Sequence, residues 1–345
     1  MALNERELQV LEAVIETYVR TAEPAGSRTI SKLSGLGLSP ASIRNIMSDL
    51  ENQGFLYHPH TSAGRIPTDR AYRLYVDAMM RPERVAAADA AQLLEGLASE
   101  RTTALDQILA RAAKVLGVLT NELGVAVSPT LDEAVLERLE LLQVSTERLL
   151  LVLTLRSGVV RTIFVEVPSQ LAAEVVVEVA LRLNERLAGL TLREIRTSLS
   201  SRMRDAVPDP SASELINIFV QEADELFDVP PTGVEREGVL LGSTQPLTGQ
   251  PEFATKESLQ GLIGITERRD LLRDALARRA AQGVTISIGS EHADPSLSPF
   301  TLITSSYRSG PLSGVIGVLG PTRMPYDKIV ALVDHTSRLV SDLLQ

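Results

Sequence analysis

Over the first eighty positions, apolar residues recur at helical spacing in short, well-punctuated runs. Asn4 can cap a helix running to about Arg20, with Leu8, Leu11, Val14, Ile15 and Tyr18 on one stripe. Pro24 and Gly26 break it. Ser27 then precedes a second short helix containing Ile30 and Leu33, and Gly35-Leu36-Gly37 makes a turn. Ser39-Pro40 is a strong helix start, a serine N-cap with proline at the first helical position. Gly54 stops that helix near Gln53 as a glycine C′ residue. Phe55-Leu56-Tyr57 reads as a strand, His58 to Gly64 as a loop and Arg65-Ile66 as a returning strand, before Thr68 caps a fourth helix to about Met80.

Residues 81–85 read as a linker, and Ala86 to about Leu123 as one long alanine-rich helix with Leu94, Leu97, Leu105, Ile108, Ala112, Leu116 and Leu119 along one side. The period then changes. Leu149 to Leu155 is apolar except for Thr154, Ser157-Gly158 is a turn, and Val159 to Val167 alternates. This predicts a hairpin whose first strand is buried on both faces. A helix follows from about Ser169 to Leu187. Between about Leu199 and Ile265, Pro208, Pro210, Pro230, Pro231, Pro246 and Pro251 break up the pattern around an acidic helix, Ser213 to Phe227. This stretch reads as an insertion. Beyond it come a helix at 267–281, strands at Val284–Ile288, Leu302–Ser306 and Ser313–Leu319, and a last helix from about Tyr326 to Leu344.

Composition narrows the function. A chain of 345 residues suggests two or three domains. It has no cysteine, which rules out disulfides, thiol catalysis, Fe–S clusters and cysteine-ligated zinc and fits a reducing compartment. The opening MALNERELQV has no basic region followed by an apolar core, so a cytoplasmic protein is expected. No apolar run approaches about 18 residues, so no membrane span is expected. Tryptophan is absent and aromatics are 3%, which disfavours aromatic platforms for stacking bases. A net charge of −10 argues against coating nucleic acid nonspecifically, but a mean can hide a local basic face.

The N-terminal order of helix, short helix, turn, capped helix and small hairpin is that of a winged helix-turn-helix, whose last helix of the trio lies in the DNA major groove. In the helix from Pro40, Ile43, Met47 and Leu50 make the buried stripe. Ser42, Arg44, Asn45, Ser48 and Asn52 are left to face outward or flank it. Arginine suits bidentate pairing with guanine, and asparagine suits adenine. Ser39 sits at the start of the same helix. Ser27, Arg28 and Thr29 open the preceding helix, where N–H groups and hydroxyls can hold a phosphate. The wing would carry His58, His60, Thr61, Ser62 and Arg65 to the backbone or minor groove. Residues 20–75 carry net charge +3, whereas residues 1–19, with Glu5, Glu7, Glu12 and Glu16 against Arg6, carry −3. The first helix would therefore face away from DNA. On pattern alone a capped, solvated helix remains open, as does a protein-binding winged helix.

The block SPASIRNIMSDLENQGFLYHPHTSAGRIPTDRAYRLYVD at 39–77 closely resembles the N-terminal domain of HrcA-type heat-inducible transcription repressors, as does the upstream EPAGSRTISK. GQPEF at 249–253, GSE at 289–291 and GPTRMPY at 320–326 resemble that family's later signatures, so the likeness spans nearly the whole chain. It implies a multidomain α+β fold: a winged helix-turn-helix at 1–80, a linker and long helix at 81–125, a GAF-like α/β domain at 126–198 and 266–345, and a small inserted α/β dimerisation domain at 199–265. It implies a homodimer that represses chaperone operons such as groE and dnaK by binding the CIRCE inverted repeat, with a GroE-type chaperonin as modulator. No enzyme activity and no cofactor are implied. Ser42, Arg44 and Asn45 take the places of the family's reading residues, and Thr61, Ser62, Gly64 and Arg65 match its wing. Ile46 stands where the family has an acidic residue, beside Met47, and extends the expected buried face. Ala25 replaces a usual valine.

Other chemistry has weaker support. His58-Pro59-His60 lacks an acidic partner for a metal site, since Glu51 and Asp69 lie on flanking helices. Glu291, His292 and Asp294 read as a solvated loop without a nucleophile. Gly314, Gly317 and Gly320 lack the glycine-lysine pair of a phosphate loop and flank a strand. Arg323 is expected to pair with an acid in its own domain, and Met324 to be core. The alternative function is a winged-helix transcription factor whose GAF-like domain senses a small metabolite.

Overall fold

In the computed structural model the described residues are 3–60, 64–81, 83–98, 105–129, 131, 134–156, 158–168, 171–204, 210–227, 238–277, 283–309 and 312–344. Among them, no helix is long and apolar enough to cross a membrane. The fold is mixed, multidomain α+β. It divides into two compact units: Met1–Val127, Val239–Tyr307 and Val315–Asp342 form one, and Ser128–Gly238, Arg308–Gly314 and Leu343–Gln345 the other.

The first unit opens with three helices, α1 (Glu5–Thr21), α2 (Ser27–Leu33) and α3 (Pro40–Asn52), followed by a two-stranded antiparallel ribbon of β1 (Leu56–Tyr57) and β2 (Ile66–Pro67) and by α4 (Asp69–Leu74). Local chemistry explains each boundary. Asn4 and Glu7 cap α1 reciprocally, the Asn4 side chain accepting from the Glu7 N–H and the Glu7 carboxylate from that of Asn4. Gly26, not Ser27, is the N-cap of α2. Ser39 caps α3, with Pro40 inside it, and Thr68 caps α4. Val10, Leu11, Val14 and Ile15 of α1 and Ile43, Met47 and Leu50 of α3 are buried, each such side chain contributing roughly 1.5–3 kcal/mol.

The long helix expected at 86–123 is two helices, α5 (Ala87–Ala98) and α6 (Leu105–Thr120). Leu94 is exposed rather than on the buried side. The strand β3 (Leu123–Val127) follows directly and packs under α6. Gly124 permits this approach, because a Cβ there would collide with the Ala113 carbonyl of α6. The strand lies within a five-stranded sheet ordered β7 (Val239–Leu241), β3, β10 (Leu312–Pro321), β9 (Phe300–Ser309) and β8 (Thr285–Ile288). A core of Leu123, Val125, Leu262, Ile265, Leu272, Leu276, Phe300, Leu302 and Leu319 fills one face.

The second unit is a three-stranded antiparallel sheet, β4 (Leu136–Ser145), β5 (Arg148–Leu155) and β6 (Val160–Glu166), covered on one face by α7 (Ala173–Leu187), α8 (Leu192–Met203), α9 (Pro210–Gln221) and α10 (Ala223–Phe227). Asn184 of α7 donates to the Leu139 carbonyl at 2.6 Å and accepts its N–H at 2.8 Å, satisfying backbone of the edge strand. The expectation that the first hairpin strand is buried on both faces is corrected: β5 alternates, its inward residues buried and Leu150, Val152 and Thr154 only half-buried. Leucine and valine occupy both faces of this strand, so composition hides the alternation. The unit interrupting the first unit runs from 128 to 238, whereas the sequence reading puts the insert at 199–265 and this hairpin in the GAF-like domain. The expected acidic helix at 213–227 is α9 and α10.

Candidate nucleic-acid interface

The third helix divides its residues by face as its spacing predicts. Ile43 and Leu50 are fully buried and Met47 nearly so, while Ser42, Arg44, Asn45 and Asn52 are exposed and Ser48 and Ile46 are half-buried. The Ser39 hydroxyl accepts the Ser42 N–H at 3.1 Å and lies 3.0 Å from the Ser42 hydroxyl. Ser39 is thus first of all a cap, and Ser42 is partly held by it. Arg44 and Asn45 are exposed to solvent in the first turns of α3. Arg28 and Thr29 of α2 are exposed and Ser27 is half-buried. Ser31 donates to the Leu38 carbonyl at 2.9 Å, fixing the α2–α3 turn. Leu33 is 58% exposed at the end of α2.

In the ribbon, Arg65 is engaged within the protein. Its Nη2 pairs with Glu51 at 2.8 Å, its side chain is 13% exposed, and its Nε is buried without a hydrogen-bond partner among the described residues. Its backbone exchanges two hydrogen bonds with Ala25, which draws the side chain against α3. Gly64 permits that bridge, since a Cβ would collide with the Ala25 carbonyl. Glu51 also meets His58 Nδ1 at 2.5 Å, so His58 does have the acidic partner that linear distance hid. His60 is exposed. Thr61 and Ser62 lie outside the described residues.

The later sequence motifs surround one junction between α4 and the five-stranded sheet. Arg73 forks onto Glu291 with bonds of 2.6 and 2.5 Å and also donates to the Ile286 carbonyl at 2.8 Å. The Ser290 N–H donates to Asp69 at 2.9 Å. Burial opposes ionisation of Glu291, but the Arg73 guanidinium and the Ile288 N–H hold its carboxyl below the usual range. The solvated loop expected at 291–294 is therefore corrected: Glu291 is engaged, His292 is buried with Nε2 3.1 Å from the Phe300 carbonyl, and Asp294 caps the turn at Ser296. Arg323 forks onto Glu252, which lies in the stretch read as the insert rather than in the segment expected to supply its acid, and donates to the Val19 carbonyl of α1 at 2.8 Å; Met324 is core, as expected. Tyr326, at the start of α11 (Tyr326–Leu343), packs on Tyr72 and Tyr75 with ring centroids 5.7 and 6.5 Å away. Gln250 donates to the Asn121 carbonyl at 2.7 Å and to the buried Glu122 carboxylate at 3.2 Å. Sequence reasoning missed Arg73, Glu122 and Asp327 as junction residues. Their signal was the set of widely spaced motifs, which the fold gathers in one place.

A family model described as "HrcA protein C terminal domain" matches residues 106–330. A heat-inducible transcription repressor HrcA from Chlorobium phaeobacteroides is 39% identical, over 99% of this chain and 98% of its own length. One from Geobacter sulfurreducens is 34% identical over 99% and 98%. A crystal structure titled as that of a hypothetical protein superposes with a TM-score of 0.58 at 23% identity, covering 99% of this chain and 97% of that one, and so shares the fold. With such identity sustained from end to end, the chain belongs to the HrcA family of heat-inducible transcription repressors.

Proposed function

We propose that the chain is a homodimeric repressor of chaperone operons such as groE and dnaK, and that it binds the CIRCE inverted repeat through two winged helices. In this reading α3 enters the major groove, Arg44 and Asn45 read base edges, and Ser27, Arg28 and Thr29 with Ser39, Ser42 and Ser48 contact backbone or flank it. His60, Thr61 and Ser62 reach DNA from the wing, while Arg65 serves the wing's structure. The observation that carries the reading is the division of α3, with Ile43, Met47 and Leu50 buried and Ser42, Arg44 and Asn45 exposed. The relatives' printed names make negative control of heat-shock transcription the function and do not favour the metabolite-sensing alternative. The five-stranded sheet is read as GAF-like, with an apolar core packed against it and no cofactor or catalytic role.

Two-fold symmetry of the protein would mirror that of the operator. A dimer is supported by the uncovered face of the second unit's sheet. Leu142, Leu150 and Phe164 lie across its three strands in one row, with Val152 and Val160 alongside. Phe164 is 63% exposed and Leu142 50%. A second copy of this face is the occupant of matching chemistry. Pairing gives avidity of roughly 10² or more over one winged helix. A marginally stable cytoplasmic protein would lose its native fraction on warming, and an unoccupied GroE-type chaperonin would restore it. The test is operator occupancy against temperature with and without chaperonin. Occupancy should fall on warming and recover with chaperonin; unchanged occupancy in both defeats the mechanism.

A further inference from the structure

An unbroken series of hydrogen bonds runs from the end of α3 to the five-stranded sheet. The Gln53 carbonyl, just past α3, accepts from Arg70 at 2.8 Å, and Arg70 also lies over the Phe55 ring at 4.4 Å. The next carbonyls, of Gly54 and Phe55, accept from the Thr68 hydroxyl at 2.9 and 3.1 Å. Thr68 and Arg70 begin α4, and so does Asp69, which accepts the Ser290 N–H. One turn later Arg73 forks onto Glu291. Thus α4 grips the reading helix with one set of side chains and the sheet with another.

Other contacts join the same parts: Arg323, forked onto Glu252, donates to the Val19 carbonyl of α1, and an aromatic cluster adds adhesion without direction. Tyr72, Tyr75 and Tyr326 form that cluster, and the Tyr72 hydroxyl is buried with no hydrogen-bond partner among the described residues. Apolar burial is non-directional. The planar guanidinium fork is directional, because two parallel bonds and a third to the Ile286 carbonyl define its orientation. Beyond α4 the helix widens into a π turn over Tyr75–Met79, which puts the Tyr75 hydroxyl 2.5 Å from Asp327. Asp327 also accepts the Arg81 N–H at 2.8 Å, so the exit of the segment is tethered too.

We propose that Arg73, Asp69 and Glu291 are positioning residues for operator binding, clamping the reading helix at a set angle to the body so that two readers meet two half-sites together. The proposal rests on the two-half-site reading above. Avidity survives only where geometry permits simultaneous engagement. Losing the fork therefore costs the paired site while sparing a single one. Lysine at 73 keeps the charge but not the fork.

The test uses the full chain with Arg73→Lys, Glu291→Gln and the double variant, against a duplex bearing the CIRCE inverted repeat and one bearing a single half-site. Each single variant should lower affinity for the inverted repeat by about tenfold and leave the half-site within about twofold. The double variant should lose little more than either single one. Unchanged inverted-repeat affinity overturns the proposal, as does equal loss on both duplexes, which would mean damage to the reader itself. The absence of native cysteine permits a second arm: spin labels at Asn52→Cys and Lys256→Cys, in chain diluted with unlabelled protein, report the distance between the reader and the helix Lys256–Glu267, whose Leu262 and Ile265 belong to the core of the sheet. That distribution should be narrow and should broaden in Arg73→Lys; no broadening overturns the clamp. Wild-type protein with no preference for the inverted repeat would sink the functional reading, and the spin-label arm would still decide the clamp.

Discussion

Arg65→Ala distinguishes a scaffold residue from a DNA contact. The guanidinium pairs with Glu51 at 2.8 Å, with side chains 13% and 29% exposed. Exposed ion pairs contribute about 0–1 kcal/mol, and breaking a fully buried pair costs about 3–5 kcal/mol. With solvent reaching Glu51, the loss should lie between these limits, at about 1–3 kcal/mol. The first unit should then melt lower by about 2–4 °C per kcal/mol lost. Glu51 keeps His58 as a partner, so adding Glu51→Gln should cost less than in the wild-type background. The assays are calorimetry and operator binding against salt. If Arg65 instead holds a phosphate, the variant will melt as wild type and the slope of log affinity against log salt will become shallower by about 1. That pair of results refutes the structural assignment.

Arg28→Ala should weaken operator and random duplex alike, with a shallower salt slope and unchanged melting; selective loss on operator would make Arg28 a base reader instead. Phe164→Glu, at a 63% exposed position, should leave the fold intact and convert dimer to monomer in sedimentation, with operator affinity falling roughly 10²-fold; a persistent dimer removes the second unit's sheet face from the account. Burial pushes the Glu122 carboxyl well above its ordinary 4.5, against the pull of the Gln250 amide and Arg323. The folded state then keeps a proton that the unfolded chain releases, so stability falls as pH rises from about 4.5. Glu122→Gln should therefore raise the melting temperature at pH 8 and change it little at pH 4.5; destabilisation at pH 8 contradicts this.

The N-terminal segment was largely legible because its signals are local. Caps at Asn4, Ser39 and Thr68, the stop at Gly54 and the stripe of Ile43, Met47 and Leu50 each act within a turn or two of chain. Contacts between distant positions were not legible. Glu51 reaches Arg65 and His58 only because the Ala25 bridge folds the ribbon back on α3. Arg73 and Glu291 are 218 positions apart, and no periodicity relates them. The short β7 carries no alternation that three residues can express, and β3 continues the apolar run of α6. The bounds of the second unit, 128–238, differ from those of the proline-rich stretch for a related reason. Prolines mark irregular chain, but the covering helices and the β4–β6 sheet make one core, which sets the unit.

Whether α3 reads one half-site in each of two paired protomers is decided by equilibrium binding of wild-type and Arg44→Ala protein to the inverted repeat and to a scrambled duplex, at one stated salt concentration. Wild-type protein should prefer the repeat by about 10³-fold or more, and Arg44→Ala should lose about 1–3 kcal/mol on the repeat and little on the scrambled duplex, with unchanged melting. Equal binding to both duplexes, or an Arg44→Ala variant that discriminates as well as wild type, would contradict this.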